Sequence, residues 1–300
     1  MFSKRQSGKK QTNIAAYLSM IPLVLVLLLI RAYPIVTTIQ KSFTNWDGLF
    51  KNDFVGFRNY VNIFTSNEFL HMLRNNAVLL LHIPIQIFLA FIFALLLYEK
   101  TAGWKFFRSV FFLPSIISAV IIGPVFRSLF SLDGLINMIL TAIRLDRFAV
   151  DWLGKGSTSM FVLMVAIIWQ GLGWQMLILS GGFSSMDPYV LEASKIDGAG
   201  YWQRLIRVVI PLQIHAIEYS FIVSIVWVFS GMFAFIFAIT KGGPGYDTTT
   251  LDYMVYIRAF GSSNQLGVAS ANAVILLIIV LFLVYLQISI SDRTNDWSEG

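Results

Sequence analysis

The sequence contains no cysteine and has few charged residues among its 300 positions. The missing thiols exclude disulfides, thiolate metal sites and cysteine catalysis. Charged residues make up 13% of the chain, whereas about a quarter is usual for a soluble domain. This small number of charges cannot form a water-facing surface for the whole chain. We therefore expect the hydrocarbon core of a membrane to surround most of it.

The sequence also lacks the groupings of residues that catalysis requires. Its three histidines do not cluster with Asp or Glu as a metal site or a catalytic triad would require. It has no G-x-x-x-x-G-K-[ST] loop to cradle the phosphates of ATP. We therefore predict that the chain is not an enzyme, with no catalytic residues, no metal site and no cofactor of its own.

Long apolar segments are abundant, and the mean hydropathy is +0.72. A bilayer core requires roughly 20 mainly apolar residues per helix. Six segments qualify, at about 15–36, 77–97, 109–130, 160–180, 217–240 and 268–290. The predicted fold class is therefore all-α, a polytopic membrane domain of six transmembrane helices over residues 15–290.

The first 14 residues carry four positive charges and no negative one. Lys and Arg concentrate in cytoplasmic segments, so we expect cytoplasmic tails at 1–14 and 291–300. No small-x-small cleavage site follows the first apolar run, which favours a retained span over a signal peptide. The net charge of +6 fits such tails and loops better than a nucleic-acid surface, because no basic stripe is interleaved with aromatic residues.

The segment 187–211 has the pattern of a helix–turn–helix. Asp187 followed by proline is typical of a helix start, and we expect that helix to end near residue 196. Gly198 then permits a sharp turn, and a second short helix over 201–209 is expected to be closed by Pro211. Such a unit suits docking in a groove of another protein, although the pattern alone is equally compatible with an ordinary loop.

At this spacing, Glu192-Ala193-Ser194, Asp197-Gly198-Ala199 and Ile210-Pro211 resemble the EAA loop of ABC importer permeases. Ser194 replaces the usual second alanine, and Leu205 stands where phenylalanine is common. In that family the loop forms a coupling helix in a cleft of the cytoplasmic ATPase. The resemblance implies that the chain couples to the ATPase through Glu192, Ala193, Ser194, Asp197, Gly198 and Ala199. The alternative is that Glu192 is only a solvated helix charge.

Other stretches resemble the maltose-type carbohydrate-uptake branch of that family. They are Phe54-Val-Gly-Phe-Arg-Asn-Tyr60, Arg108-Ser-Val-Phe-Phe-Leu-Pro114, Thr240-Lys-Gly-Gly-Pro-Gly245 and Gly267-Val-Ala-Ser-Ala271. The resemblance implies the type I importer permease fold in a bacterial cell membrane. It also implies a second homologous permease subunit, two ABC ATPase subunits that bind ATP and Mg²⁺, and an extracytoplasmic sugar-binding protein. The binding protein is expected to contact Gly242, Gly243 and Pro244.

Polar and aromatic residues in the predicted spans are candidates for the sugar site. On the fourth span, Gln170 and Trp174 are four residues apart and share a face with Gly171. The resemblance to maltose permeases, with the serine–tryptophan stripe of the fifth span, gives the candidate set Ser115, Gln170, Gly171, Trp174, Ser224, Trp227, Val228 and Gly231. Helix–helix packing is the alternative role for the small residues. We expect His82, Gln86 and Asn272 to be interhelical hydrogen-bond partners.

Two other classes of transporter remain as alternatives. An ion-driven secondary transporter would require a mid-membrane ionisable residue and internal repeats, and neither is clear. An ABC permease for a solute such as glycerol-phosphate would require a cation for the phosphate, and no Arg or Lys lies at a predicted midplane. The sequence therefore favours the permease subunit of an ABC importer for a neutral sugar or oligosaccharide.

Overall fold

The computed structural model describes residues 18–261 and 264–298 of the chain. The predicted basic tail at 1–14 lies outside the described residues. The described ranges are almost entirely helical, and their only β-type pairing is a single antiparallel bridge between Thr44 and Phe54, so the all-α prediction is confirmed. The helices are α1 (Leu18–Ser42), α2 (Arg58–Phe64), α3 (Asn67–Leu79), α4 (His82–Tyr98), α5 (Trp104–Ile116), α6 (Ala119–Leu129), α7 (Leu135–Ala142), α8 (Gly156–Ser185), α9 (Pro188–Ile196), α10 (Tyr201–Leu212), α11 (Ile214–Ser230), α12 (Phe233–Ile239), α13 (Leu251–Phe260) and α14 (Leu266–Ser298).

Four segments of the described chain are apolar and long enough to cross a membrane as single helices: Leu18–Ser42, Asn67–Tyr98, Gly156–Ser185 and Leu266–Ser289. Two bent pairs also qualify by length and composition. The pair α5–α6 bends by 100°, and the pair α10–α11 bends by 61°. Counting each bent pair as one span gives six, the number that the sequence predicts.

Two of the predicted spans differ from straight helices. The third, expected at 109–130, is interrupted at Ile117 and Ser118, whose backbones are extended. The fifth, expected at 217–240, ends at Ser230, and a separate short helix follows from Phe233. Hydropathy cannot reveal these breaks, because the apolar composition continues through both of them.

Pro34 in α1 and Pro211 in α10 each follow a wider, π-helical turn. These turns cover Leu28–Ala32 and Leu205–Val209, and each ends two residues before a proline, Pro34 or Pro211. A helical proline lacks its N–H and clashes with the carbonyl one turn earlier, and a π-helical turn relieves this local conflict. The prediction that Pro211 closes its helix is therefore wrong, since α10 continues to Leu212.

The described part of the chain divides into two compact units, and the first contains residues 18–64 and, apart from 262 and 263, residues 255–275. Within its described part, the Asn59 amide donates to the carbonyls of Ser42 and Thr44, both at 2.8 Å. The Gly267 amide donates to the Trp46 carbonyl at 2.8 Å. A side chain at Gly267 would lie 2.1 Å from the Thr44 carbonyl oxygen, so this close backbone approach requires glycine.

The second unit contains residues 65–254 and 276–298. Its most extensive helix pairing is between α4 and α8, where Ala90, Met176 and Phe183 are completely or almost completely buried. The helix α5 also packs on α8, and a Cβ atom at Gly173 would lie 2.7 Å from the Phe111 carbonyl oxygen. Small residues at such crossings let membrane helices approach closely.

Candidate functional site

The second unit contains a cavity of ≈ 430 Å³, a size within the usual range for small-molecule sites. Residues of α4, α5, α8 and α11 line it. They are His82, Gln86, Phe112, Ser115, Gln170, Gly171, Trp174, Gln175, Val223, Ser224 and Trp227. None of these described lining residues is Asp, Glu, Lys or Arg, so the wall consists of uncharged amides, hydroxyls, rings and one imidazole.

Six of the eight residues predicted to contact substrate line this cavity: Ser115, Gln170, Gly171, Trp174, Ser224 and Trp227. The other two do not. Val228 is fully buried, and its carbonyl accepts a hydrogen bond from Asn76. Gly231 closes α11, where an added Cβ would lie 2.4 Å from Nε1 of Trp227, so its small size makes room for that ring.

The geometry of α4 and α8 explains which polar residues meet at the cavity. Gln170 and Trp174 fall at positions i and i+4 of α8, which place them on one face, and Gln175 lies about 100° further around the helix, where it meets Ser224 of α11. His82 and Gln86 stand one turn apart at the start of α4. Sequence reasoning missed His82, Gln86 and Gln175 as cavity residues, because their place in the lining depends on how the helices pack.

Several polar side chains of the cavity are held by hydrogen bonds to the helices around them. The Gln170 amide donates to the carbonyl of Ile117, at the break between α5 and α6. Nε2 of Gln175 donates to Oγ of Ser224 at 2.7 Å. The hydroxyls of Ser115 and Ser224 donate to backbone carbonyls three and four residues earlier. These contacts fix the orientation of the side chains before any ligand binds.

The three residues expected to form interhelical hydrogen bonds, His82, Gln86 and Asn272, differ from one another in the structure. His82 is bonded to the carbonyl of Leu79, the last residue of α3, so its bond joins two helices although the residues are only three apart in the chain. A Cβ atom at Gly171 would lie 2.2 Å from Nε2 of Gln86, so glycine admits the Gln86 amide beside α8. The buried Asn272 amide has no hydrogen-bond partner among the described residues.

The segment predicted to couple to an ATPase forms the expected helix–turn–helix. A carboxylate oxygen of Asp187 accepts the Tyr189 N–H at 2.9 Å, and this cap starts α9, which ends at Ile196 as predicted. Gly198 has a φ of +76°, the left-handed conformation that favours glycine. The sharp turn at Gly198 is therefore confirmed.

The segment 187–211 exposes large apolar side chains. Tyr189 is 78% exposed, Ile196 86% and Trp202 70%. The side chain of Glu192 is also exposed. Exposed aromatic and aliphatic residues grouped on a short helical unit are typical of a protein–protein contact.

A network of hydrogen bonds organises the loop between α12 and α13. The Asn75 amide donates to the carbonyls of Tyr246 and Thr249, both at 2.8 Å. Oγ1 of Thr249 donates to the Gly242 carbonyl at 3.0 Å. Gly242 is buried, whereas residues 245–247 are exposed. Of the loop residues predicted to contact a binding protein, Gly243 and Pro244 are half-buried.

The chain matches the family described as "Binding-protein-dependent transport system inner membrane component" over residues 86–294. It therefore belongs to this family, as a multi-pass membrane permease component that functions with a binding protein. This membership identifies a transport subunit rather than an enzyme and establishes its place in the inner membrane.

Individual relatives and solved structures agree with this family. The multiple sugar-binding transport system permease protein MsmF of Streptococcus mutans is 33% identical, over 87% of this chain and 89% of the relative. The sn-glycerol-3-phosphate transport system permease protein UgpA of Agrobacterium fabrum is 26% identical, over 96% of this chain and 98% of the relative. A bacterial ABC transporter for alginate import has a chain with a TM-score of 0.79 and 23% identity, covering 95% of this chain and 99% of that one. The fold is that of a type I ABC importer permease, as predicted.

Proposed function

We propose that this chain forms part of the translocation path of an ABC importer for a neutral sugar or short oligosaccharide. The observation that carries the proposal is the uncharged cavity of ≈ 430 Å³. Its two tryptophans offer flat faces to the C–H surfaces of a sugar ring, and its amides and serines suit hydroxyl groups. The name of MsmF, a sugar-transport permease, supports the same substrate class.

The proposed complex contains a second homologous permease, two ABC ATPase subunits and an extracytoplasmic binding protein. The ATPases bind ATP and Mg²⁺, since this sequence has no phosphate-binding loop. We place the ATPase contact at Glu192, Ala193, Ser194, Asp197, Gly198 and Ala199. The exposed side chains of Tyr189 and Ile196 beside these residues support a docking role.

The binding protein is proposed to contact the loop between α12 and α13. Gly242 is buried, and its φ of +82° suits a role in shaping the loop. Gly243, Pro244 and the exposed residues 245–247 supply the accessible surface. One known transporter of this fold has been solved with a pentasaccharide-bound periplasmic protein, which supports a binding-protein contact for the family.

Glycerol-phosphate is the second candidate substrate, because of the similarity to UgpA. A phosphate group that leaves water requires a cation or several charge-assisted hydrogen bonds. The described lining residues include no Lys or Arg. The cavity therefore favours an uncharged polyhydroxyl ligand over glycerol-phosphate.

The test is reconstitution of the complete transporter in lipid vesicles, with ATPase activity and uptake measured together. Binding protein is added empty or with maltose, lactose, diacetylchitobiose, alginate tetrasaccharide or glycerol-3-phosphate. We expect stimulation by a neutral sugar, and we expect Glu192→Ala to assemble normally but lose stimulated uptake. Stimulation by glycerol-3-phosphate or alginate alone would overturn the neutral-sugar assignment, and full uptake with Glu192→Ala would overturn the coupling role.

A further inference from the structure

The imidazole of His82 is the most unusual polar group beside the cavity. It stands at the start of α4, directly after the short break between α3 and α4. The side chain is completely buried, yet the residue is part of the cavity lining, together with Gln86 one turn later. The sequence predicts only a packing hydrogen bond for this residue, and the proposed function does not use it.

A single backbone contact determines which nitrogen of His82 carries the proton. Nδ1 is hydrogen-bonded to the carbonyl oxygen of Leu79. A carbonyl oxygen can only accept, so Nδ1 must be the donor. In the neutral imidazole the other nitrogen, Nε2, then has a lone pair and no hydrogen. The ring therefore offers one hydrogen-bond acceptor.

That acceptor lacks a hydrogen-bond donor within the described part of the chain. Nε2 of His82 is buried and has no hydrogen-bond partner there. Buried polar atoms in native proteins almost always have such a partner. The hydroxyl of Ser115 already donates to Phe112, and the hydroxyl of Ser224 already donates to Ser220. Because His82 belongs to the cavity lining, a ligand in the cavity is one source from which a donor can come.

We propose that Nε2 of His82 accepts a hydrogen bond from a hydroxyl group of the sugar in the cavity, which makes His82 a specificity-determining residue. This inference rests on the proposed function and refines its substrate class. A sugar hydroxyl donates to a lone pair, whereas an ionised carboxylate or phosphate has only acceptor oxygens and is repelled. His82 thereby favours hydroxyl groups over acidic groups at this position of the ligand.

The first test uses analogues in which fluorine replaces one hydroxyl, because fluorine cannot donate a hydrogen bond. The parent sugar is whichever of maltose, lactose or diacetylchitobiose stimulates the reconstituted transporter most. With the unchanged chain, we expect fluorine at one position to lower uptake about tenfold, the ratio given by one hydrogen bond of ordinary net strength. With His82→Phe, the same analogue should lose less than about twofold relative to its parent.

Matched controls are available in the other two histidines. His71 and His215 are exposed and do not line the cavity, so His71→Phe and His215→Phe should keep the full penalty for the fluorinated analogue. If the unchanged chain and His82→Phe showed the same loss of uptake for every fluorinated analogue, no sugar hydroxyl would donate a hydrogen bond to this ring.

A second measurement keeps His82 in place, so it does not depend on whether a His82 variant folds. Only this chain is labelled with ¹⁵N-histidine in the assembled transporter, and His71→Phe and His215→Phe assign the three ring signals by elimination. We expect an unprotonated Nε2 signal for His82 that shifts toward the hydrogen-bonded position on addition of the stimulating sugar. A protonated Nε2, or a signal that saturating sugar leaves unchanged, overturns the inference while the sugar-importer function stands. If no neutral sugar stimulates transport, both proposals fail together.

Discussion

Asn76 and Val228 are joined by a buried hydrogen bond of 2.9 Å, in which the amide of Asn76 donates to the Val228 carbonyl near the end of α11. The amide oxygen of Asn76 accepts the Leu251 N–H at 3.1 Å. One side chain of α3 thus satisfies a carbonyl next to the cavity residue Trp227 and an amide that follows the loop 240–250. Because Asn75 binds the same loop, the loop and the end of α11 depend on one turn of α3.

Asn76→Ala should destabilise the protein by about 1–3 kcal/mol, because it leaves two buried backbone groups without partners. Thermal unfolding of the detergent-solubilised protein, followed by tryptophan fluorescence, measures the change. Asn67→Ala is the matched control, since Asn67 is the exposed first residue of the same helix. Equal unfolding midpoints for the two variants would contradict a structural role of the Asn76 amide.

Asp252 gives a prediction about pH. Its carboxylate accepts the N–H of Phe233 at 2.7 Å and that of Tyr253 at 2.9 Å, yet burial raises its pKa above the ordinary value. A carboxyl group with a raised pKa keeps its proton more readily in the folded state than in the unfolded state. Its contribution to the free energy of unfolding is therefore fully present below the ordinary Asp pKa and falls as pH rises through the raised one.

Asp252→Asn should remove this part of the pH dependence, so that stability falls less steeply as pH rises above about 4 than in the unchanged protein. Unfolding midpoints measured across that range provide the comparison. Asp247→Asn, at an exposed position of the neighbouring loop, should keep the original slope. If stability changed with pH at the same slope in the unchanged protein and in Asp252→Asn, the raised pKa of Asp252 in the folded state would be refuted.

Local sequence rules were sufficient for some of these elements but not for others. The start of α9 follows from Asp187 and Pro188, and the turn after it follows from Gly198, because both depend only on residues close in the chain. The break after α5 could not be predicted in this way. Its Ile117 carbonyl is satisfied by Gln170, a residue of another helix.

The cavity shows the same division between local and tertiary information. The face of α8 that carries Gln170 and Trp174 follows from helical spacing. Which residues of α4 would meet that face depends on packing, and the close approach of Gln86 to Gly171 is visible only in the folded chain. Sequence reasoning therefore identified one wall of the cavity and missed His82 and Gln86 on another.

Two glycines of α8 should respond in opposite directions to the same substitution. A Cβ atom at Gly173 would lie 2.7 Å from the carbonyl oxygen of Phe111, whereas nothing lies within 4 Å of a Cβ atom at Gly181. Gly173→Ala should destabilise by about 1–3 kcal/mol, because α5 must shift. Gly181→Ala should stabilise by up to about 1 kcal/mol through helix propensity. Unfolding midpoints that change in the same direction would contradict the packing of α5 on α8.

Trp174 should affect uptake rather than stability. Its side chain lines the cavity and is 59% exposed, so little packing is lost on truncation. We expect Trp174→Ala to reduce sugar uptake about tenfold with an unchanged unfolding midpoint, and Trp174→Phe to retain most of the uptake because an aromatic face remains. Undiminished uptake by Trp174→Ala would remove this residue from the proposed site.

Two glycines in the turn between α9 and α10 separate the effect of backbone conformation from the effect of added side-chain volume. Neither Gly198 nor Gly200 has an atom within 4 Å of an added Cβ, but only Gly198 has a positive φ, +76°. Alanine at Gly198 is therefore strained by roughly 1–2 kcal/mol, which should change the turn shape, whereas alanine at Gly200 meets neither a clash nor this strain. In the reconstituted importer, Gly198→Ala should lower the uptake achieved per ATP hydrolysed, and Gly200→Ala should not. If both variants transported like the unchanged chain, the conformation of this turn would not be required for coupling, and the ATPase contact would have to depend on the exposed faces of α9 and α10 alone.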